Sequence, residues 1–310
     1  MAWSRRYVID LEELSIKEIM TVLHTAKWFK NSLRKSPSIT FDYLKGYTVC
    51  NLFFEPSTRT RMSFTTAEQR LGMHVLDFAV NSSSTNKGES VIDTIKNLDA
   101  MNIDVFVMRH KSSGAPMSVI NNSKSAFINA GDGKHAHPTQ AFLDLLTIYE
   151  QKGGFEGLNV VICGDIQHSR VARSNVWGLT KLGAKVTLVG PPTLTPYYFE
   201  EFGVKCSYNF LDTIPSADVL YLLRIQFERM SKGYFPTVSE YTHLWGLTDD
   251  KLKLAKNDVL VMHPGPTNRD MEISGSVADG DKSVILDQVT SGVAVRMALL
   301  HLVLRGELHV

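Results

Sequence analysis

The sequence predicts an α/β protein of two doubly wound parallel-sheet domains. Short runs rich in valine, isoleucine and leucine recur along the chain without polar alternation, the pattern of strands buried on both faces of a parallel sheet. Helical patterns separate these runs, giving the repeated strand–helix order of that class. The chain's 310 residues exceed the ~100–200 usual for one domain. Taken in order, residues 15–33 read as a polar amphipathic helix and not as a signal peptide. A strand at 48–53 meets the turn Phe54-Glu55-Pro56, and a helix opens at Ser57, a favourable N-cap, with its regular pattern over 60–71. Strands follow at 74–78, 105–108 and, more weakly, 126–129, with helices at 90–101 and 139–150. Pro138 suits the first position of the latter helix. The glycine pair in Gln151-Lys152-Gly153-Gly154 marks a domain boundary. Beyond it, strands at 159–163, 185–189, 219–223 and 259–262 alternate with helices at 170–182 and 195–202, and the apolar stretch 292–304 reads as a last helix.

Composition narrows the function. A hydrophobic content of 44% and a charged content of 21% describe a soluble globular protein. The formal net charge of +1 argues against a nucleic-acid binder. No apolar run approaches the ~18–20 residues that span a bilayer. Cys50, Cys163 and Cys206 are too far apart for zinc spacing or a disulfide framework, which fits a reducing, cytoplasmic setting.

The most informative run is Phe53-Phe54-Glu55-Pro56-Ser57-Thr58-Arg59-Thr60-Arg61. It places hydroxyls, a guanidinium and unpartnered backbone N–H groups at one helix start, the requirements of a phosphate-like dianion. Capping with solvated arginines is the plainer reading; the strand–turn–helix context favours the anion site. In open parallel sheets ligands bind at the carboxyl ends of strands. Arg109, Gly164-Asp165, Arg224 and His263 also stand at such ends, and two facing domains would place these residues around one cleft.

Ser57-Thr58-Arg59-Thr60 resembles the carbamoyl-phosphate signature of the transcarbamoylases, the family of aspartate and ornithine carbamoyltransferases. The resemblance runs through nearly the whole chain, with its motifs in order. It implies a first domain of residues 1–150, to which the C-terminal helix of 288–310 returns, and an aspartate-binding domain of 151–287. It implies that Ser57, Thr58, Arg59, Thr60 and Arg109 hold the phosphate. Read alone, Arg109 fits an active site or a surface equally. The pattern Met108-Arg109-His110 matches the family's arginine that contacts phosphate and carbonyl oxygen. Thr60 and His137 share that carbonyl, and Gln140 binds the carbamoyl amide; spacing alone does not separate His137 from His135. The polar stretch 82–89 reads by composition as a surface loop. It matches a family loop that reaches a neighbouring subunit's site with a lysine, here Lys87, and a serine, here Ser83, flanked by Ser82 and Ser84.

Gly164-Asp165-Ile166-Gln167-His168-Ser169-Arg170 lacks the glycine spacing of a dinucleotide loop. His168-Ser169-Arg170-Val171-Ala172 is similar to aspartate carbamoyltransferases. There Arg170, Arg224 and Gln226 hold aspartate, assisted by Lys87. Glu55 and Arg229 resemble residues of domain-closing ion pairs. His263-Pro264-Gly265-Pro266 forms a rigid loop whose carbonyls, at Gly265 and Pro266, serve as fixed acceptors. The ornithine enzymes carry His-Cys-Leu-Pro there. The reaction implied is carbamoyl transfer from carbamoyl phosphate to L-aspartate, in pyrimidine synthesis, by a homotrimer with shared active sites and without metal or cofactor. An ornithine-type enzyme or a non-catalytic paralogue are the alternatives; the arginine-rich second domain opposes the first, and the intact motifs oppose the second. Regulatory chains or a dihydroorotase are further partners that the chain's own motifs do not select.

Overall fold

The computed structural model describes residues 3–78, 90–227 and 237–308. The chain divides into two compact units, residues 1–146 with 290–310, and residues 147–289.

The first unit is built on β1 (Tyr7–Val8), β2 (Thr48–Phe53), β3 (His74–Phe78), β4 (Val105–His110) and β5 (Ala126–Asp132). These form one parallel sheet in the order β1-β5-β4-β2-β3. Its helices are α1 (Ile16–Lys35), α2 (Thr58–Arg70), α3 (Val91–Asp99), α4 (Ala115–Ile120) and α5 (Pro138–Lys152). β2, β4 and β5 are buried nearly throughout, as their unbroken apolar runs require, and Cys50, Leu52, Phe106, Met108 and Phe127 share one core cluster.

The second unit repeats the plan. β6 (Asn159–Cys163), β7 (Lys185–Val189), β8 (Lys205–Ser207), β9 (Val219–Leu222) and β10 (Leu260–Met262) form a parallel sheet in the order β10-β9-β6-β7-β8. Around it lie α6 (Arg170–Lys181), α7 (Val238–Trp245), α8 (Asp249–Leu252) and α9 (Gly275–Ala278). The helical pattern at 195–202 is a 3-10 helix over Tyr197–Phe202. Pro196 precedes its first residue and lacks an N–H for an earlier turn.

The final helix α10 (Ile285–Arg305) begins seven residues before the apolar stretch read from sequence. The unit division falls within α5 and α10. Residues 138–146 and 290–305 go with the first unit, residues 147–152 and 285–289 with the second.

Both sheets wind outwards from a central strand. Chain order reverses beside β2 in the first sheet and beside β6 in the second. At such a reversal the connections leave towards opposite faces and open a crevice at the carboxyl strand ends. The residues singled out by sequence follow β2, β4 and β5, adjacent in one sheet, and β6, β9 and β10, adjacent in the other.

Candidate active site

In the first unit, the decisive local feature is the start of α2. Ser57 is its N-cap by position, with extended backbone (φ −161°, ψ 94°), yet its side chain makes no capping hydrogen bond. Among the described residues, six other helices open on a serine or threonine whose hydroxyl does accept a backbone N–H: Ser15, Ser90, Ser169, Thr237, Thr248 and Ser274. The α2 terminus therefore keeps its N–H groups and its positive dipole end for something else. Thr58 and Arg59 are exposed there, Ser57 is half-buried and Thr60 is buried. The neighbouring Arg61 is committed elsewhere, to Asp77 at 3.0 Å.

Beside this terminus, Arg109 pairs in register with Phe53, and its carbonyl accepts the Phe54 N–H at 2.8 Å. Arg109 is 9% exposed. Nη2 lies 3.4 Å from Glu55 Oε1, and Nη1 donates to the Ala130 carbonyl at 3.4 Å. β5 then delivers the two histidines that sequence left unseparated. His135 places Nδ1 3.0 Å from the buried carboxylate of Asp132, and that bond raises its pKa. Asp132 also accepts from the Gly114 N–H at 2.6 Å and from Asn129 at 2.8 Å, so His135 belongs to the scaffold of the loop. His137 instead sits buried at the head of α5, its carbonyl accepting the Gln140 N–H at 3.0 Å and its Nδ1 3.5 Å from Thr139 Oγ1. Gln140 donates Nε2 to Asp144 Oδ1 at 3.0 Å. That bond orients the amide, leaving its carbonyl oxygen as the end that can accept an N–H.

One residue here was not read from sequence. Arg296 of α10, 3% exposed, donates Nη1 to Ser63 Oγ at 3.0 Å and Nη2 to Thr139 Oγ1 at 3.4 Å. Its guanidinium stacks 5.0 Å over Phe64. Burial, with the charge of Arg109 added, pushes its pKa down to about 10, so it remains a cation at neutral pH. Two buried guanidiniums that repel one another, beside a helix N-terminus, make a site that a dianion neutralises.

In the second unit, the segment after β6 turns at Gly164, whose φ is +137°. A Cβ there would stand 2.6 Å from the Leu223 carbonyl oxygen. Only glycine lets the segment leading to Arg170 pass so close to the one leading to Arg224. Asp165 ties the two together: its carboxylate accepts the His168 N–H at 3.1 Å, faces His168 Nδ1 at 2.8 Å and accepts the Gln226 N–H at 3.3 Å. Burial pushes the Asp165 carboxyl up in pKa, against those hydrogen bonds. Arg170 is buried in the first turn of α6 and Arg224 is half-buried. Two guanidiniums and an amide at adjacent strand ends suit a ligand with two carboxylates. Gly265 and Pro266 follow β10, the next strand in the sheet, and Gly265 adopts φ +62°, a conformation that favours glycine. Ser83, Lys87 and Arg229 lie outside the described residues.

The family model described as "Aspartate/ornithine carbamoyltransferase, carbamoyl-P binding domain" matches residues 6–150, and that of the "Asp/Orn binding domain" matches residues 156–303. The chain belongs to the aspartate/ornithine carbamoyltransferase family. Among curated relatives, the aspartate carbamoyltransferase catalytic subunit of Desulfitobacterium hafniense is 48% identical over 310 residues, covering 99% of this chain and 98% of the relative. Aspartate transcarbamoylase from Trypanosoma cruzi, solved with carbamoyl phosphate and aspartate, superposes with a TM-score of 0.86 at 31% identity, covering 96% of both chains. Ornithine carbamoyltransferase from Pyrococcus furiosus reaches the same TM-score at 28% identity, covering 98% of both chains. The two branches of the family thus share this fold, and the fold alone does not choose the amine acceptor. Among the described residues no helix is long and apolar enough to cross a membrane.

Proposed function

We propose that the chain is a catalytic subunit that transfers the carbamoyl group of carbamoyl phosphate to the amine of L-aspartate, giving N-carbamoyl-L-aspartate and phosphate. The observation that carries this reading is the full-length likeness to aspartate carbamoyltransferase catalytic subunits at about half identity, joined to a second unit that offers Arg170 and Arg224 where an ornithine enzyme must accept a cation.

The first unit takes carbamoyl phosphate. Ser57, Thr58, Arg59 and Thr60, with the open α2 terminus, bind its phosphate, and Arg109 bridges phosphate and carbonyl oxygen. Thr60, Arg109 and His137 donate to the carbonyl oxygen as it gains negative charge, a role in which losing one donor typically costs ~3 kcal/mol. The Gln140 carbonyl accepts from the carbamoyl amide. The second unit takes aspartate through Arg170, Arg224 and Gln226, while the carbonyls of the Pro264–Pro266 turn accept from N–H groups of the reacting amine and amide. The neutral amine attacks the carbonyl carbon, the tetrahedral intermediate collapses by breaking the C–O bond to phosphate, and the departing phosphate takes the proton that the amine loses. Positioning and electrostatics account for the rate without a covalent intermediate. Ser83 and Lys87 complete the site from an adjacent subunit of a homotrimer, and the enzyme works in the cytoplasm; both statements rest on the family resemblance. Regulatory chains and a dihydroorotase stay as candidate partners on the same ground.

Phosphate release measured with aspartate, ornithine and other amines tests the reading. Turnover with aspartate alone is expected. Turnover with ornithine and not aspartate would refute it.

A further inference from the structure

The turn after β10 is closed by a buried pair, His263 and Glu272. His263 is 1% exposed and Glu272 is 0% exposed. The Gly265 N–H donates to His263 Nδ1 at 2.8 Å, so Nδ1 carries a lone pair. A neutral imidazole then holds its proton on Nε2, and Nε2 stands 3.4 Å from Glu272 Oε1. The same oxygen accepts the Asn268 N–H at 2.5 Å. One carboxylate oxygen therefore accepts the Asn268 N–H and lies at ion-pair distance from His263 Nε2, which makes no hydrogen bond among the described residues. The His263 N–H is held separately, by Gln288 Oε1 at 3.0 Å.

Glu272 is itself fixed from behind. Its carbonyl accepts the Leu247 N–H at 3.0 Å, and the next residue, Ile273, is fully buried and bridged to Leu247. A carboxylate buried this deeply is unfavourable unless donors meet it. An apolar residue would avoid that cost but would leave the Asn268 N–H without its acceptor and would remove the negative charge that stands 3.4 Å from Nε2.

We propose that Glu272 is a positioning residue for carbamoyl transfer. Acting through His263, it keeps the imidazole proton on Nε2 and Nδ1 open to the Gly265 N–H, which sets the direction of the carbonyls in the Pro264–Pro266 turn. The proposal rests on the reading above, in which those carbonyls accept from the reacting groups. The N–H groups of an attacking amine become stronger donors as the bond forms, so the aim of the acceptors is felt most in the transition state.

The test uses the whole protein and compares Glu272→Ala with Glu272→Gln, measuring kcat, the aspartate KM and thermal protection by carbamoyl phosphate. Glu272→Ala is expected to lower kcat by about ten- to a hundredfold, the scale of an ångström misplacement, while carbamoyl phosphate still protects the first unit. Glu272→Gln, whose amide oxygen can accept both N–H groups, is expected to recover most of the loss. Solid-state NMR of protein labelled with 15N-histidine, with His263 assigned from the signal lost in His263→Asn, reads the tautomer directly: protonated Nε2 and bare Nδ1 are expected in the wild type. Wild-type turnover in Glu272→Ala, a Gln variant no better than Ala, or a wild-type His263 protonated on Nδ1 would overturn the proposal. If Glu272→Ala does not fold, the Gln variant and the wild-type spectrum decide. A wild-type chain inactive with aspartate would instead refute the reading on which the proposal rests.

Discussion

Replacing Glu68 by glutamine should make the first unit more stable in alkali and leave it unchanged in acid. Glu68 lies on α2, fully buried, and Oε2 accepts Asn51 Nδ2 from β2 at 2.9 Å. Its other oxygen and Asn51 Oδ1 are buried acceptors that no donor among the described residues meets. Burial, reinforced by the charge of Asp77 and opposed by the Asn51 bond, lifts the pKa from the ordinary 4.5 to about 8. The folded protein thus binds a proton across that interval which the unfolded chain has released. Stability is fully present below pH 4.5 and falls as pH rises towards 8, with a slope of ~1.4 kcal/mol per pH unit. The total is on the order of 5 kcal/mol, a large share of the roughly 5–15 kcal/mol that holds a native protein together. A glutamine cannot ionise, and its amide supplies both the acceptor and the missing donor. Urea unfolding of wild type and Glu68→Gln, followed by circular dichroism, should give matching midpoints at pH 4 and a higher midpoint for the variant at pH 9. A difference that is the same at both pH values would refute the reasoning, because it would show that the proton on Glu68 plays no part.

The remaining expectations concern catalysis. Arg59→Ala should fold normally, since Arg59 is exposed at a polar helix start, and should lose on the order of a hundredfold or more in kcat/KM; a steady-state assay with near-normal turnover would sink the anion site. Arg224→Ala should raise the aspartate KM or abolish turnover while carbamoyl phosphate still protects against heat, and the opposite pattern in a thermal-shift experiment would reverse the assignment of the two units. Arg59→Ala and Lys87→Ala proteins, dissociated and reassociated together, should recover up to about a quarter of wild-type activity if sites are shared and act independently; no recovery from well-mixed trimers would mean that each site is built within one chain.

The strands buried on both faces were legible because their sequences have only one reading. β2, β6 and β7 keep the bounds that their apolar runs give, and β3 keeps its bounds too, although it is an edge strand with no fully buried residue. β4 and β5 extend further, through Arg109-His110 and Gly131-Asp132, because backbone pairing continues after the apolar side chains stop. β1 and β8 were not legible: each is two or three residues long at a sheet edge and exists through pairing with a distant strand. α10 was read short because Gly292 looks like a helix boundary, whereas it sits in mid-helix with Arg296 packed against it. Arg296 escaped for a related reason. One arginine in an apolar helix reads as a tolerated exception, and only the fold shows which hydroxyls it reaches. What distinguishes the surroundings of His137 from those of His135 is the carboxylate of Asp132, which engages His135 and which spacing alone does not reveal.

The bare start of α2 has a consequence for how the protein could be strengthened. A serine that leaves its helix uncapped forgoes roughly 1 kcal/mol, and an aspartate at position 57 would be the obvious consolidation, a good cap with its charge on the positive end of the helix. The same carboxylate would occupy the place, and oppose the sign, of the incoming phosphate. On the function proposed above, the substrate-free protein is thus held below the stability its sequence could reach, and the incoming anion would take over the office of the cap. A screen that selects for heat resistance without substrate present would favour aspartate here and discard the enzyme.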